Sequence, residues 1–296
     1  MDKYFSPFVS ANEEGRYSGR IERDLAVENN RSLHLIPQIM GKNPDHMHEV
    51  FSYLKNLGYT EINLNLGCPS GTVVAKGKGA GMLRNLDFLE DFFIALFRDL
   101  PNGISISVKT RIGIMDSTEL IALFTLYNAF PFSEIIVHPR LQKQFYKGNV
   151  DLYAFQKITE ITKHRLIYNG DIENVKSAQK IIARFPKIEG IMLGRGLLSN
   201  PALVREIEGG QALTEKEMKD YIEAVEEAFF KEMKIEPNLL AKLKECWSYF
   251  GKNYPDSVKG LKELRKAKTM AEYRSAKYRI YSEGRFTAFR GEKEWI

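Results

Sequence analysis

Cysteine is nearly absent: Cys68 and Cys246 are the only two in 296 residues. Two thiols in a chain of this size suit a reducing compartment better than secretion, so a cytoplasmic location is expected. Long apolar runs are also missing. No stretch approaches the roughly 18–20 residues that cross a bilayer, and no membrane partner is expected. The opening MDKYFSPFVS has neither a basic leader with a long apolar stretch nor a small-residue cleavage site, so no secretory leader is expected. Histidines number five, and His46 and His48 lie in a helical pattern without ligand company, so no metal is expected. There is no internal repeat.

What is present is a large apolar content, 44%, against 27% charged residues, enough to bury one big domain or one with a smaller partner. Short apolar runs recur at 4–9, 34–40, 61–66, 104–110, 134–138, 166–169 and 190–193. Helical periodicity fills the intervals, as at 46–57, 86–100, 118–129 and 175–184. This alternation predicts a parallel α/β fold with strands covered on both sides. Polar residues follow the strands directly: Lys109 and Arg111, His138 and Arg140, Asn169 and Asp171, then Arg195. Polar residues at most strand ends favour a (β/α)8 TIM barrel over an open doubly wound sheet, which gathers its ligand residues at one switch point. Seven strands are legible where a closed barrel has eight.

The character changes after Gly209-Gly210. Thr214 with Glu217 reads as a helix cap, and helices are expected over 215–233, 238–250, 257–266 and 270–279. Residues 282–296 are expected to fray. The division is therefore 1–208 and 209–296. Net charge is only +5, but it is unevenly spread. Residues 212–240 hold four Lys/Arg and eight Asp/Glu, whereas 241–290 hold thirteen and five. Interleaved with Tyr249, Tyr254, Tyr273, Tyr278, Tyr281 and Phe286, that basic block suits a polyanion; a solvated helical face is the plainer alternative. Cys246 beside Trp247, and the pairs Phe92-Phe93 and Phe229-Phe230, read as core.

The densest stretch is 61–84. The apolar run Ile62-Asn63-Leu64-Asn65-Leu66 ends in Gly67-Cys68-Pro69, a strand that delivers one cysteine to its carboxyl end. Gly77, Gly79 and Gly81 follow, too far from the strand for a dinucleotide fingerprint. Taken alone they read as a flexible connector. The pattern of Asn65, Gly67, Cys68, Pro69, Val73, Gly79, Ala80 and Leu83 resembles the active-site signature of the tRNA-dihydrouridine synthases, and the resemblance implies a mobile active-site loop at the glycines, a reading level with the connector. Four further blocks match in order: Pro37-Gln38-Ile39-Met40-Gly41, Val108-Lys109-Thr110-Arg111-Ile112-Gly113, His138-Pro139-Arg140 with Gln144, Tyr146 and Gly148, and Asn169-Gly170-Asp171 with Gly194-Arg195-Gly196.

The resemblance implies an FMN-dependent TIM barrel, its first strand missing from this chain, followed by a helical tRNA-binding domain. It implies reduction of uridine to 5,6-dihydrouridine in tRNA with NADPH. Cys68 would protonate C5 of the uracil, since a thiol stays protonated at neutral pH yet can donate; a buried structural cysteine is the alternative. Gln38, Lys109 and His138 would contact the flavin. Asn169, Gly170, Asp171, Gly194 and Arg195 would hold its phosphate, as barrel flavoproteins do after their last two strands. Asn65, Arg111, Arg140 and Tyr146 would meet the uracil or the tRNA. Each polar residue has a plainer reading as a strand-end ion pair or turn. A monomer is expected. Two other functions compete: a dihydroorotate dehydrogenase-like enzyme for a small pyrimidine, and a catalytically silent tRNA-binding remnant.

Overall fold

Two prolines decide how the sheet begins. Proline has no N–H for a strand ladder, and each of the first two expected strands is cut at one. The computed structural model describes residues 3–10 and 19–291. The run at 4–9 becomes β1 (Tyr4–Phe5) and β2 (Val9–Ser10), parted at Pro7, and the run at 34–40 becomes β3 (Leu35–Ile36) and β4 (Gln38–Met40), parted at Pro37. β1 pairs in parallel with β3, and β2 with β4. Ser6 bridges the gap. Its backbone N–H donates to Ile36 O (3.0 Å) and its Oγ accepts from the Gln38 N–H (3.0 Å).

The remaining strands are β5 (Glu61–Leu66), β6 (Ser105–Arg111), β7 (Ile135–His138), β8 (Leu166–Asn169) and β9 (Gly190–Met192). The main sheet has seven parallel strands in the order β2-β4-β5-β6-β7-β8-β9. With helices between them, that is the sequential winding of a TIM barrel. The helices along this stretch are α1 (Gly19–Leu25), α2 (Val27–Asn30), α3 (Pro44–Asn56), α4 (Gly71–Val74), α5 (Leu86–Arg98), α6 (Glu119–Tyr127), α7 (Leu152–Ile161) and α8 (Val175–Arg184). Asn43, Asn85 and Asp151 cap α3, α5 and α7 through their side-chain oxygens.

By contacts the described chain forms two compact units: residues 3–10, 19–170 and 185–192, and residues 171–184 and 193–291. In the first, strand periodicity sorts the side chains. Ile62, Leu64, Leu66, Ile106 and Val108 are buried on one face of β5 and β6. Asn63, Asn65, Ser107 and Lys109 lie on the other. Lys3 ties the chain start to β5 and to the residue before β7, with Nζ 2.8 Å from Glu61 and 3.2 Å from Glu134. Burial opposes the Lys3 charge, but the two carboxylates outweigh it and hold the ammonium above its usual value. His48, on α3, meets Leu96 O at 2.9 Å.

In the second unit come α9 (Arg195–Ser199), α10 (Leu203–Ile207), α11 (Glu215–Glu232), α12 (Glu236–Phe250), α13 (Val258–Lys266) and α14 (Met270–Glu283). Thr214 and Glu217 form the expected capping box. Met218, Ile222, Leu243, Trp247, Phe250, Tyr254, Tyr273 and Ile280 build the core, with Cys246 packed against it. Phe229 also packs there, but Phe230 is exposed, so only the first of that pair is core. On α13 and α14, Lys259, Lys262, Arg265, Lys266 and Arg274 are exposed.

Residues 284–290 do not fray. Buried Asn253 accepts from Thr287 N–H on its backbone oxygen (2.9 Å) and from Phe289 N–H on Oδ1 (2.8 Å), while its Nδ2 donates to Ser199 O (2.8 Å). Arg290 adds an ion pair with Glu206 at 3.0 Å. Two backbone donors fixed on one buried residue and an ion pair tie the segment down. Residues 292–296 of the expected frayed end lie outside the described residues.

Candidate active site

A chain of buried amides lines the polar face of the first unit. Asn63 Nδ2 donates to Ser107 Oγ (2.9 Å), Gln38 Nε2 to Asn63 Oδ1 (2.8 Å), and Asn65 Nδ2 to Gln38 Oε1 (2.7 Å). Asn65 Oδ1 then accepts the backbone N–H groups of Gly67 (3.1 Å) and Cys68 (2.9 Å). Strand register makes this possible, because Gln38 pairs with Asn63, and Asn63 with Ser107.

The cysteine loop is held from its other sides as well. Arg111 Nε donates to Gly67 O (2.9 Å), Ala80 N to Cys68 O (3.1 Å), and Gln142 Nε2 to Pro69 O (3.2 Å). Every backbone polar atom from Gly67 to Pro69 thus has a partner. The partly exposed Cys68 thiol sits at the strand's carboxyl end on a fixed loop. The glycine segment supplies part of that support. Gly79 to Leu83 are buried in a 3-10 turn. Gly79 has φ +55, and a Cβ there would lie 2.9 Å from Val73 Cγ1 and 3.0 Å from Cys68 Cβ, so only glycine fits against the cysteine.

Lys109 pairs across the sheet with Asn65. Burial, with the nearby Arg111 charge, pushes its ammonium down to about 8. Arg111 and Arg140, expected at the uracil or the tRNA, are both buried. Arg111 is 1% exposed, and besides Gly67 it donates to Leu141 O (3.0 Å) and Phe145 O (2.8 Å). Its burial lowers its pKa to about 10, so it stays charged at neutral pH. Arg140 is fully buried and donates to Gly148 O (2.7 Å) and to His138 Nε2 (2.9 Å). A guanidinium can only donate, so Nε2 accepts and a neutral His138 carries its proton on Nδ1. Tyr146 lies 5.5 Å from the Arg111 guanidinium and 5.9 Å from the His138 ring, and is 53% exposed. Gln38, Asn65, Cys68, Lys109, Arg111, His138, Arg140 and Tyr146 are therefore all carried by the first unit.

The expected phosphate residues divide. In the first unit Asn169 Nδ2 donates to Met192 O (2.9 Å), and Gly170, at φ +146, packs against Val150 and His138. In the second unit Gly194 precedes α9, and Arg195 Nη2 pairs with Asp171 Oδ1 at 3.2 Å. Asn63, Ser107 and Gln142 were missed by sequence reasoning. Alternation inside β5 and β6 would have exposed the first two, since polar residues two positions before Asn65 and Lys109 share their face. Gln142 carries no such signal.

Seven sequentially wound parallel strands, with a polar face and a cysteine held at a strand's carboxyl end, define a TIM-barrel-type fold. The family model for dihydrouridine synthase matches residues 2–286, and the chain belongs to that family. It is 28% identical over 237 residues to a Staphylococcus aureus protein described as a "probable tRNA-dihydrouridine synthase", covering 78% of this chain and 69% of that one. It is 29% identical over 171 residues to the tRNA-dihydrouridine(16) synthase of Shigella flexneri, covering 57% and 54%. Among solved structures, the old yellow enzyme from Trypanosoma cruzi matches with a TM-score of 0.51 at 9% identity, over 71% of this chain and 79% of that one, a likeness of fold.

Proposed function

We propose that this chain reduces uridine to dihydrouridine in tRNA, using FMN and NADPH, with Cys68 as the proton donor. The observation that carries this reading is the fixed loop Gly67–Pro69, which leaves the thiol as its one adjustable polar group beside a polar wall. Preorganisation of this kind is what a directed proton transfer needs.

The donor set fits a flavin ring. Gln38, Asn65, Lys109 and His138 come from four successive strands of the sheet or, for His138 and Gln38, from their ends. Lys109 is an ammonium whose charge burial disfavours, and it would hold the anionic edge of a reduced flavin, which would favour that charge. When bound, the reduced flavin supplies the hydride. Cys68 holds at Sγ the proton delivered to C5 of the uracil. Asn65 fixes the Cys68 backbone. Arg111 and Arg140 act from within, by holding loops. For the flavin phosphate the proposed residues are Asn169, Gly170, Asp171, Gly194 and Arg195. Residues 209–296 are proposed as the tRNA-binding part of a division at 1–208, because α13 and α14 display exposed lysines and arginines that suit phosphates.

The test uses full-length protein, NADPH and unmodified tRNA transcripts. The expected result is a yellow protein that forms dihydrouridine. Cys68→Ala keeps the flavin absorbance and loses about 100-fold or more in turnover. Turnover near wild type in that variant refutes the acid assignment. A colourless protein that still binds tRNA points to a silent RNA binder.

A further inference from the structure

We propose that the Phe145–Tyr146 turn is a stacking platform for the nucleotide next to the target uridine. This deepens the reading above and rests on it. Phe145 is 43% exposed and Tyr146 53%, side by side on the loop after β7. Phe145 adopts φ 53 and ψ −102, a region that an L side chain rarely enters. Such a backbone persists only where its surroundings impose it.

Here the surroundings are explicit. Arg111 Nη2 grips Phe145 O, and its Nη1 grips Leu141 O. Gln144 Oε1 accepts the Leu141 N–H at 2.7 Å, and Arg140 holds Gly148 O. The loop is also bonded to the one after β6, through Gln142 N to Gly113 O (2.9 Å) and Lys143 N to Ile114 O (3.3 Å). Two buried arginines thus hold a strained turn that exposes the Phe145 ring and the outer part of the Tyr146 ring, whose inner side leans on Arg111 and His138. Core packing does not explain rings left outside. A hydrophobic protein contact does not explain the flanking Lys143 and Lys147, both exposed. Aromatic faces interleaved with cations are the recognition chemistry of unstacked nucleotides. The turn is tied through Arg111 to Gly67, adjacent to Cys68, so a base stacked here is a neighbour of the one reduced.

The test measures binding of unmodified tRNA transcripts to full-length holoenzyme over a range of salt. Phe145→Ala and Phe145→Gly each weaken binding about ten-fold, with the salt slope unchanged because stacking releases no counterions. Phe145→Trp binds at least as tightly as wild type. The two small variants separate the strain: glycine tolerates this φ and alanine does not, so Phe145→Gly melts above Phe145→Ala, by about 2 °C. Alanine melting at or above glycine overturns the strained turn. Binding within two-fold of wild type in both overturns the platform and leaves a protein contact as the role of the rings. A wild-type protein that binds no RNA overturns the function reading together with the platform.

Discussion

Lys109 shows most directly how burial sets one residue's charge against stability. Its ammonium is pushed from 10.5 down to about 8, so the folded chain carries that charge at a cost. The unfolded chain holds the proton more tightly, and the flavin-free protein gains stability from this group as pH rises from about 8 to 10.5. Lys109→Met should therefore stabilise the flavin-free protein at pH 7, on the order of 1–3 kcal/mol by denaturant melts. The same variant should retain flavin poorly. In the wild type, flavin affinity should fall as pH climbs through about 8, and titration of absorbance against pH reads it. A flat profile there would remove Lys109 from the flavin site. At this scale the sequence was legible where an apolar run ended in a polar residue, as at Cys68, Lys109 and His138. It did not reveal that Arg111 and Arg140, expected at the uracil or the tRNA, are buried. Nothing local distinguishes Arg111 from a surface arginine, because the carbonyls it donates to belong to other segments, whereas Arg140 is held by His138 and Gly148 of its own loop.

Strands and helices were easier to read than the joints between them. All seven expected strands occur, since continuous apolar runs mark a sheet covered on both faces. The cuts at Pro7 and Pro37 follow from a missing N–H, and Ser6 repairs the second. Ser6→Ala should leave the buried Gln38 N–H without its acceptor and cost about 1–3 kcal/mol. Chemical denaturation measures that directly, and an unchanged midpoint would mean another acceptor replaces Oγ. The anchoring of residues 284–290 was not legible. Its anchor Asn253 lies more than thirty positions earlier, and polar composition alone reads as frayed.

For the molecule as a whole, charge distribution separates the roles of its parts better than net charge does. A net of +5 is unremarkable, yet the exposed cations of α13 and α14 gather in one short stretch. If that stretch meets RNA phosphates, replacing Lys259, Lys262 and Lys266 with alanine should lower the slope of log affinity against log salt by about 2–3. Filter binding between low and physiological salt reads the slope. An unaltered slope would move the phosphate contacts to another face. No described helix is long and apolar enough to cross a membrane.

The grip of Arg111 on both Gly67 and Phe145 has a mechanical outcome. Sulfur and outer rim share a single fulcrum, so neither can be adjusted without disturbing the other. Drift at position 111 would be felt twice, once as misaimed chemistry and once as a collapsed rim.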